Sequence, residues 1–358
     1  MFLRVATASY LRGEAMRGIR FLGDKRSEVI DYPDEEPDPG YVLLKMRSSG
    51  MCGSDLHRYR VPLPKEEVER DPVRPGHEPC GEVAVLGEGV EGLQIGDRIL
   101  QHHYEGCGNC RMCREGWSQL CTGMERLTHG YGRHGGHGDY MIARADTCLT
   151  LPDELSYEVG AFLACGASTA FHGLKKLQLS GLDTIAIFGA GPVGLAGVMF
   201  AAEMGARVIS VDISGERLEM AKSAGASEVV DNSDGTAVEQ ILDLTYSEGA
   251  DASLEAIGIH QTRLDAVQST KIFGRCCFVG EGGDFHVEPS PDIIHRHLTL
   301  VGSWTFSTFG LEEAARYTAR RNVPLESLIT GRCGIEDVPA AYEEFEAGAP
   351  GKFVINWD

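Results

Sequence analysis

The chain has 358 residues, enough for two domains that each bury a core, with 42% hydrophobic and 24% charged residues. Its net charge of -20 argues against a nucleic-acid partner, because phosphate contacts need Lys and Arg, and reads as a solvated acidic surface. No apolar run is long enough to span a membrane.

In chain order, the opening MFLRVATASYLRGEA lacks the sustained apolar stretch of a signal peptide. Residues 1–15 read as a flexible tail, and Met16 is an alternative start. Eleven cysteines without a signal peptide favour metal binding and reduced thiols, hence a cytoplasmic protein. From Met16 to Leu151 the pattern is of short strands and turns, punctuated by Gly-rich stretches at 87–92 and 130–138. Cys52 lies in GMCGSDLH, the charged loop PLPKEEVERDPVRP follows, and His77 lies in PGHE. Cys107, Cys110, Cys113 and Cys121 then form C-x2-C-x2-C-x7-C, a spacing at which four thiolates close one tetrahedral shell around structural Zn²⁺. The His-rich loop at 129–137 reads either as a substrate contact or pH-sensitive wall, or as an exposed Gly-rich loop.

The texture changes near Ser156. A helix over 156–177 carries Cys165 and leads into strand 184–189. Alternation continues with helix 192–205, strand 207–212, helix 215–225, strand 227–231, helix 236–248, strand 251–256, helix 260–271 and strand 275–280. Two helices and strand 352–357 close the chain. Such alternation predicts an α/β fold, a doubly wound parallel sheet with helices on both faces.

Gly189, Gly191 and Gly194 form G-x-G-x-x-G after an apolar strand and at the start of a helix, with Pro192 and Val193 between them. This is the context that presents backbone N–H groups to a pyrophosphate. Asp212 ends the next strand, placed to accept from an adenosine ribose and to repel a 2′-phosphate, so NAD is expected over NADP. Cys52, His77 and Cys165 would leave a fourth metal position for water, substrate or Glu78, the open arrangement of catalytic zinc. Their spacing alone does not join them.

Together these motifs resemble the zinc-dependent medium-chain dehydrogenase/reductase family, which includes alcohol, polyol and threonine dehydrogenases. The resemblance runs from about residue 17 to 358. It is carried most specifically by Gly76-His77-Glu78, Gly81-Glu82-Val83, Gly87, Gly89-Val90 and Gly96-Asp97-Arg98, then the cysteine lobe and the glycine turn in the family's order. It implies a catalytic domain with a β-barrel-like (GroES-like) core over 1–157 and 303–358, and a Rossmann domain over 158–302. It matches Cys52, His77, Glu78 and Cys165 to the catalytic zinc, and Asp55 to the group that orients the ligating His. Ser54 and His57 match the proton relay, and Thr169 a residue against the nicotinamide. Arg217 and Gly280 are counted with the cofactor-binding residues. The expected cofactors are two Zn²⁺ per chain and NAD. The expected reaction is reversible hydride transfer between NAD and a secondary alcohol, polyol or sugar alcohol; the alternative is a non-catalytic NAD-binding redox sensor. Leu56, Tyr59, Met124, Trp304 and Phe306 are candidates for a pocket wall. Strand 298–304 forms a sheet edge through which relatives dimerise, so a homodimer or homotetramer is expected.

Overall fold

The computed structural model describes residues 16–64, 66, 68 and 73–358. The expected tail at 1–15 and part of the charged loop, at 65, 67 and 69–72, lie outside the described residues. The chain divides into two compact units. Unit 1 comprises Met1–Ala161, Arg332–Ala347 and Val354–Asp358; unit 2 comprises Phe162–Gly331 and Gly348–Phe353.

Unit 1 opens with a hairpin of β1 (Met16–Gly23) and β2 (Arg26–Tyr32). Its two-residue loop puts Asp24 and Lys25 at positive φ, the backbone that matches the twist of the strands. Strand β3 (Tyr41–Met51) is flanked by β4 (Pro79–Leu86) and, further along the chain, β8 (Tyr140–Arg144), both antiparallel to it. Between them come helix α1 (Asp55–Arg60), β5 (Arg98–Gln101), β6 (Tyr104–Glu105), helix α2 (Arg111–Arg114) and β7 (Leu127–Thr128). Strand β9 (Cys148–Thr150) pairs with β5. Val42, Leu44, Met46, Val83, Ile99, Met141 and Ala143 fill the core. The alternation of Val42, Leu44 and Met46 is what a strand with one buried face requires.

The helix expected over 156–177 is two helices, α3 (Tyr157–Leu163) and α4 (Gly166–Lys176). The break falls at Cys165, whose φ of -145° and ψ of -75° lie outside the helical region. Unit 2 then sets β10 (Thr184–Phe188), α5 (Pro192–Glu203), β11 (Arg207–Asp212), α6 (Gly215–Ser223) and β12 (Glu228–Asp231) in turn. Helix α7 (Ala237–Leu244), β13 (Ala250–Glu255), α8 (His260–Gln268), β14 (Thr270–Phe278) and β15 (Thr299–Gly302) complete the sheet. The order is β12-β11-β10-β13-β14-β15, and every pair is parallel. Buried on both faces, the strands read as near-continuous apolar runs such as Ile185–Phe188. Helix α7 ends four residues earlier than its apolar pattern suggested, because Tyr246 and Ser247 adopt positive φ.

Helix α9 (Thr308–Arg321) belongs with unit 2. It packs on α4, with the Phe171 and Tyr317 rings 5.1 Å apart. Its apolar Leu311, Ala314 and Ala315 are buried. After β16 (Ile329–Cys333), helix α10 (Val338–Glu346) and β17 (Lys352–Asn356), the larger sheet reads β16-β17-β3-β4-β5-β9, with β8 on β3.

Candidate metal centres and dinucleotide turn

The β3–β4 register decides the first centre. Ser49 pairs with Pro79, and the Gly50 amide donates to the Glu78 carbonyl at 3.0 Å. Cys52, just past the end of β3, is thereby set beside His77 and Glu78, just before β4. One ligand atom from each of the three lies within 4.8 Å of the others. His77 and Glu78 are buried and Cys52 is half-buried.

Asp55 organises this cluster. Its Oδ2 accepts from the Cys52 amide at 3.0 Å, and its Oδ1 lies 2.9 Å from His77 Nδ1. An ionised carboxylate only accepts, so Nδ1 carries a proton toward Asp55, and a cation binding here would take Nε2 in place of the second ring proton. Ser54 Oγ lies 3.2 Å from that Nε2. Burial by itself would push the His77 imidazole down; the neighbouring Asp55 and Cys52 overcome this and hold it well above its ordinary value. Sulfur, nitrogen and oxygen donors converging at this separation fit Zn²⁺. His57 is exposed on α1. Cys165 belongs to unit 2, half-buried at the N-cap of α4.

The second centre is the lobe between β6 and β7. The Sγ atoms of Cys107, Cys110, Cys113 and Cys121 all lie within 4.8 Å of one another, and all four residues are free cysteines. Cys110 Sγ is 3.5 Å from Cys113 Sγ and 3.9 Å from Cys121 Sγ. Backbone N–H groups aim at the sulfurs: Cys107 N and Gly123 N at Cys121, and Cys110 N at Cys107. Backbone hydrogen bonds at Cys113 and Thr122 pull Cys110 down to about 5, and those at Cys107 and Gly123 lower Cys121. Burial pushes Cys113 up to about 12. Cys110 and Cys121 are thus prepared as thiolates, and a dication bound here would displace the proton from Cys113 and hold all four sulfurs.

In unit 2, β10 lies between β11 and β13, where the strand order reverses. Ligands of such sheets bind outside the carboxyl ends of the strands at this point. Gly189 has φ +96°, and a Cβ on Gly194 would lie 1.6 Å from the Gly189 carbonyl oxygen. A Cβ on Gly191 would meet nothing within 4 Å, so this N-cap faces open space. Pro192 starts α5, where no amide hydrogen is needed. Asp212 is buried, accepting from Ala190 N at 2.7 Å, Ile213 N at 2.8 Å and Ser214 N at 2.9 Å. Its carboxylate therefore shapes the glycine turn, a duty the sequence did not reveal. Arg217 donates to the Gly348 carbonyl at 3.2 Å. Gly280 leaves no room for a side chain, since a Cβ would lie 2.4 Å from Gly258 N. Thr169 is 7% exposed on α4, and its hydroxyl has no hydrogen-bond partner among the described residues.

Sequence reading missed Glu255. It is fully buried at the end of β13, accepting from Ile257 N, Gly258 N and the Thr262 hydroxyl. The signal was available: a carboxylate at the carboxyl end of a sheet strand, the position Asp212 holds on β11. Tyr59 and Phe306, read as possible pocket walls, are core residues at 1% and 0% exposure. Tyr59 packs against the rings of Phe21 and Tyr342. The His-rich loop is neither an exposed loop nor a wall along its whole length, because His129 and His137 are fully buried.

Two family models match the chain: the alcohol dehydrogenase GroES-like domain over residues 38–153 and the zinc-binding dehydrogenase over residues 192–320. The zinc-type alcohol dehydrogenase-like protein YphC of Escherichia coli (strain K12) is 39% identical over 331 residues, covering 90% of this chain and 93% of the relative. Two solved structures share the fold at TM-score 0.85, each covering 96% of this chain and 100% of its own. One is described as a zinc-binding dehydrogenase from Sinorhizobium meliloti 1021 bound to NADP, at 27% identity; the other is galactitol-1-phosphate dehydrogenase from Escherichia coli, at 28%. The chain belongs to the zinc-dependent medium-chain dehydrogenase family. Its fold pairs a GroES-like domain with a Rossmann-like parallel sheet. Among the described residues no helix is long and apolar enough to cross a membrane.

Proposed function

We propose that the protein oxidises an alcohol, reversibly, with NAD⁺ as hydride acceptor. The observation that carries this reading is the convergence of Cys52, His77 and Glu78, with Asp55 fixing the imidazole. Cys165 is the further donor expected from the family resemblance. Zinc bound there supplies a Lewis acid for the alcohol oxygen, and the nicotinamide supplies the hydride acceptor. The chain's own residues handle the proton. Ser54 Oγ, beside His77 Nε2, accepts the substrate hydroxyl proton as it passes its own on through the ribose hydroxyls to the exposed His57 imidazole, which releases it to solvent. The buried Asp212 carboxylate supports NAD over NADP, because a 2′-phosphate would meet its charge. Secondary alcohols, polyols and sugar alcohols are the substrate classes.

The test is reduced-nicotinamide absorbance with zinc-replete protein, NAD⁺ or NADP⁺, and a panel of short alcohols, diols, sugar alcohols, sugars and threonine. Saturable NADH formation with one class establishes the reading and names that class. Turnover with NADP⁺ alone overturns the cofactor preference. Silence across the panel, with both metals bound, removes these substrate classes.

A further inference from the structure

The loop at 129–137 has a place in the fold that the proposed chemistry does not use. At one end it follows β7, which pairs with β6 at the base of the four-cysteine lobe, Thr128 opposite Tyr104 and Leu127 opposite Glu105. Glu105 stands two residues before Cys107. Its Oε1 lies 2.9 Å from His129 Nε2, and the pair is buried, at 2% and 0% exposure. His129 Nδ1 reaches the His134 carbonyl at 2.8 Å, folding the loop back on itself.

At its other end the loop grips the turn that carries His77. The Gly135, His137 and Gly136 amides donate to the carbonyls of Arg74, Pro75 and Gly76 at 2.9, 3.0 and 2.8 Å. A Cβ on Gly135 would lie 2.1 Å from the Gly76 oxygen, and one on Gly76 would lie 2.2 Å from His137 Nδ1. A Cβ on Gly136 would lie 2.8 Å from Pro79 Cβ, beyond Glu78. The Tyr131 hydroxyl donates to the Ser54 carbonyl at 2.8 Å. The loop therefore contacts the chain on both sides of His77-Glu78 and beside Cys52, while its root is clamped to the lobe.

We infer that loop 129–137 couples the two metal centres: Glu105 and His129 are positioning residues that transmit the metal-ordered shape of the cysteine lobe to the His77 turn. A metal in the lobe fixes the β6–β7 base. The Glu105–His129 pair then fixes the loop, and the loop holds Gly76 and Pro79 where His77 and Glu78 meet Cys52. By linkage, loading either centre raises the affinity of the other. The inference rests on the reading that Cys52 and His77 hold a metal.

Cobalt loading with chelator competition tests it, because the mixed nitrogen–sulfur centre and the four-thiolate lobe have different visible spectra. Glu105→Gln is expected to lower cobalt affinity at the Cys52–His77 centre by roughly 10- to 100-fold, the range for residues that orient ligands, with the lobe still loaded. His129→Gln and Gly135→Ala, which attack the link at its middle and far end, should do the same if Glu105→Gln fails to fold. Glu158→Gln removes a different ion pair in unit 1, with Arg332, and should leave that affinity unchanged. Cys110→Ser should weaken the Cys52–His77 centre in the wild-type background and add little on top of Glu105→Gln. Wild-type affinity at that centre in the folded loop variants, or a Glu158→Gln effect of the same size, overturns the coupling alone. Wild-type protein that loads only the lobe overturns the coupling together with the reading of Cys52 and His77.

Discussion

Gly194 shows how narrowly the cofactor turn is specified. With 1.6 Å between a Cβ and the Gly189 oxygen, alanine cannot be accommodated without moving the strand–helix junction. Gly194→Ala is expected to cost about 1–3 kcal/mol, as overpacking does, and to abolish dinucleotide binding. Thermal melts and an NADH fluorescence titration check both, and a variant that binds normally would show that the turn relaxes. Asp212 has two duties that one substitution can separate. Asp212→Asn keeps an oxygen for the Ile213 and Ser214 amides but removes the charge. Its amide nitrogen cannot accept from the buried Ala190 N–H, so we expect a loss of about 1–3 kcal/mol of stability, the cost of an unpaired buried donor, and a shift of preference toward NADP. If the ratio of kcat/KM values for the two cofactors does not change, the selection lies elsewhere.

At the scale of elements, helix α4 carries a pH dependence of its own. His172 lies on its partly buried side, and burial, with Lys176 and Lys175 adding to it, lowers its pKa from 6.5 to about 4. The folded value lies below the unfolded one, so unfolding takes up a proton between them. Stability should fall as pH drops from about 6.5 to about 4, and this contribution should level off below that. His172→Gln should flatten the profile in that window. Equal slopes for variant and wild type would remove His172 as the cause. The α3–α4 break teaches a related lesson. The apolar periodicity of 156–177 runs through Cys165 without interruption, so a pattern reading joins two helices that the backbone separates.

For the whole molecule, the edge of the parallel sheet sets the expected assembly. Among the described residues, strand β15 has a neighbour on one side only, and Ile272, Phe273 and Ile294 are 56%, 72% and 61% exposed. An unpaired edge with apolar neighbours invites a second copy. A dimer or tetramer is expected by light scattering after size exclusion. Gly302→Pro, which puts a ring on the outward side of the strand, since the next N–H along, that of Ser303, turns inward to the Phe278 carbonyl at 3.0 Å, should shift the protein toward monomer. A wild-type monomer at micromolar concentration would dismiss the edge as an interface.

By itself the sequence determined the features whose parts are close along the chain. The β–α alternation of 184–302 was legible because buried parallel strands are short apolar runs between helices. The cysteine lobe was legible because four ligands within fifteen residues close one shell. Residues drawn from distant segments were decided only in three dimensions. Cys52 meets His77 and Glu78 because the β3–β4 register sets Ser49 against Pro79, and no local pattern states a register. The His-rich loop is the clearest case: its glycines and histidines read as solvent-facing chemistry. Close backbone packing on Gly76, and a carboxylate 24 residues away from His129, bury both of its ends instead and leave only Tyr131 and Gly132 exposed.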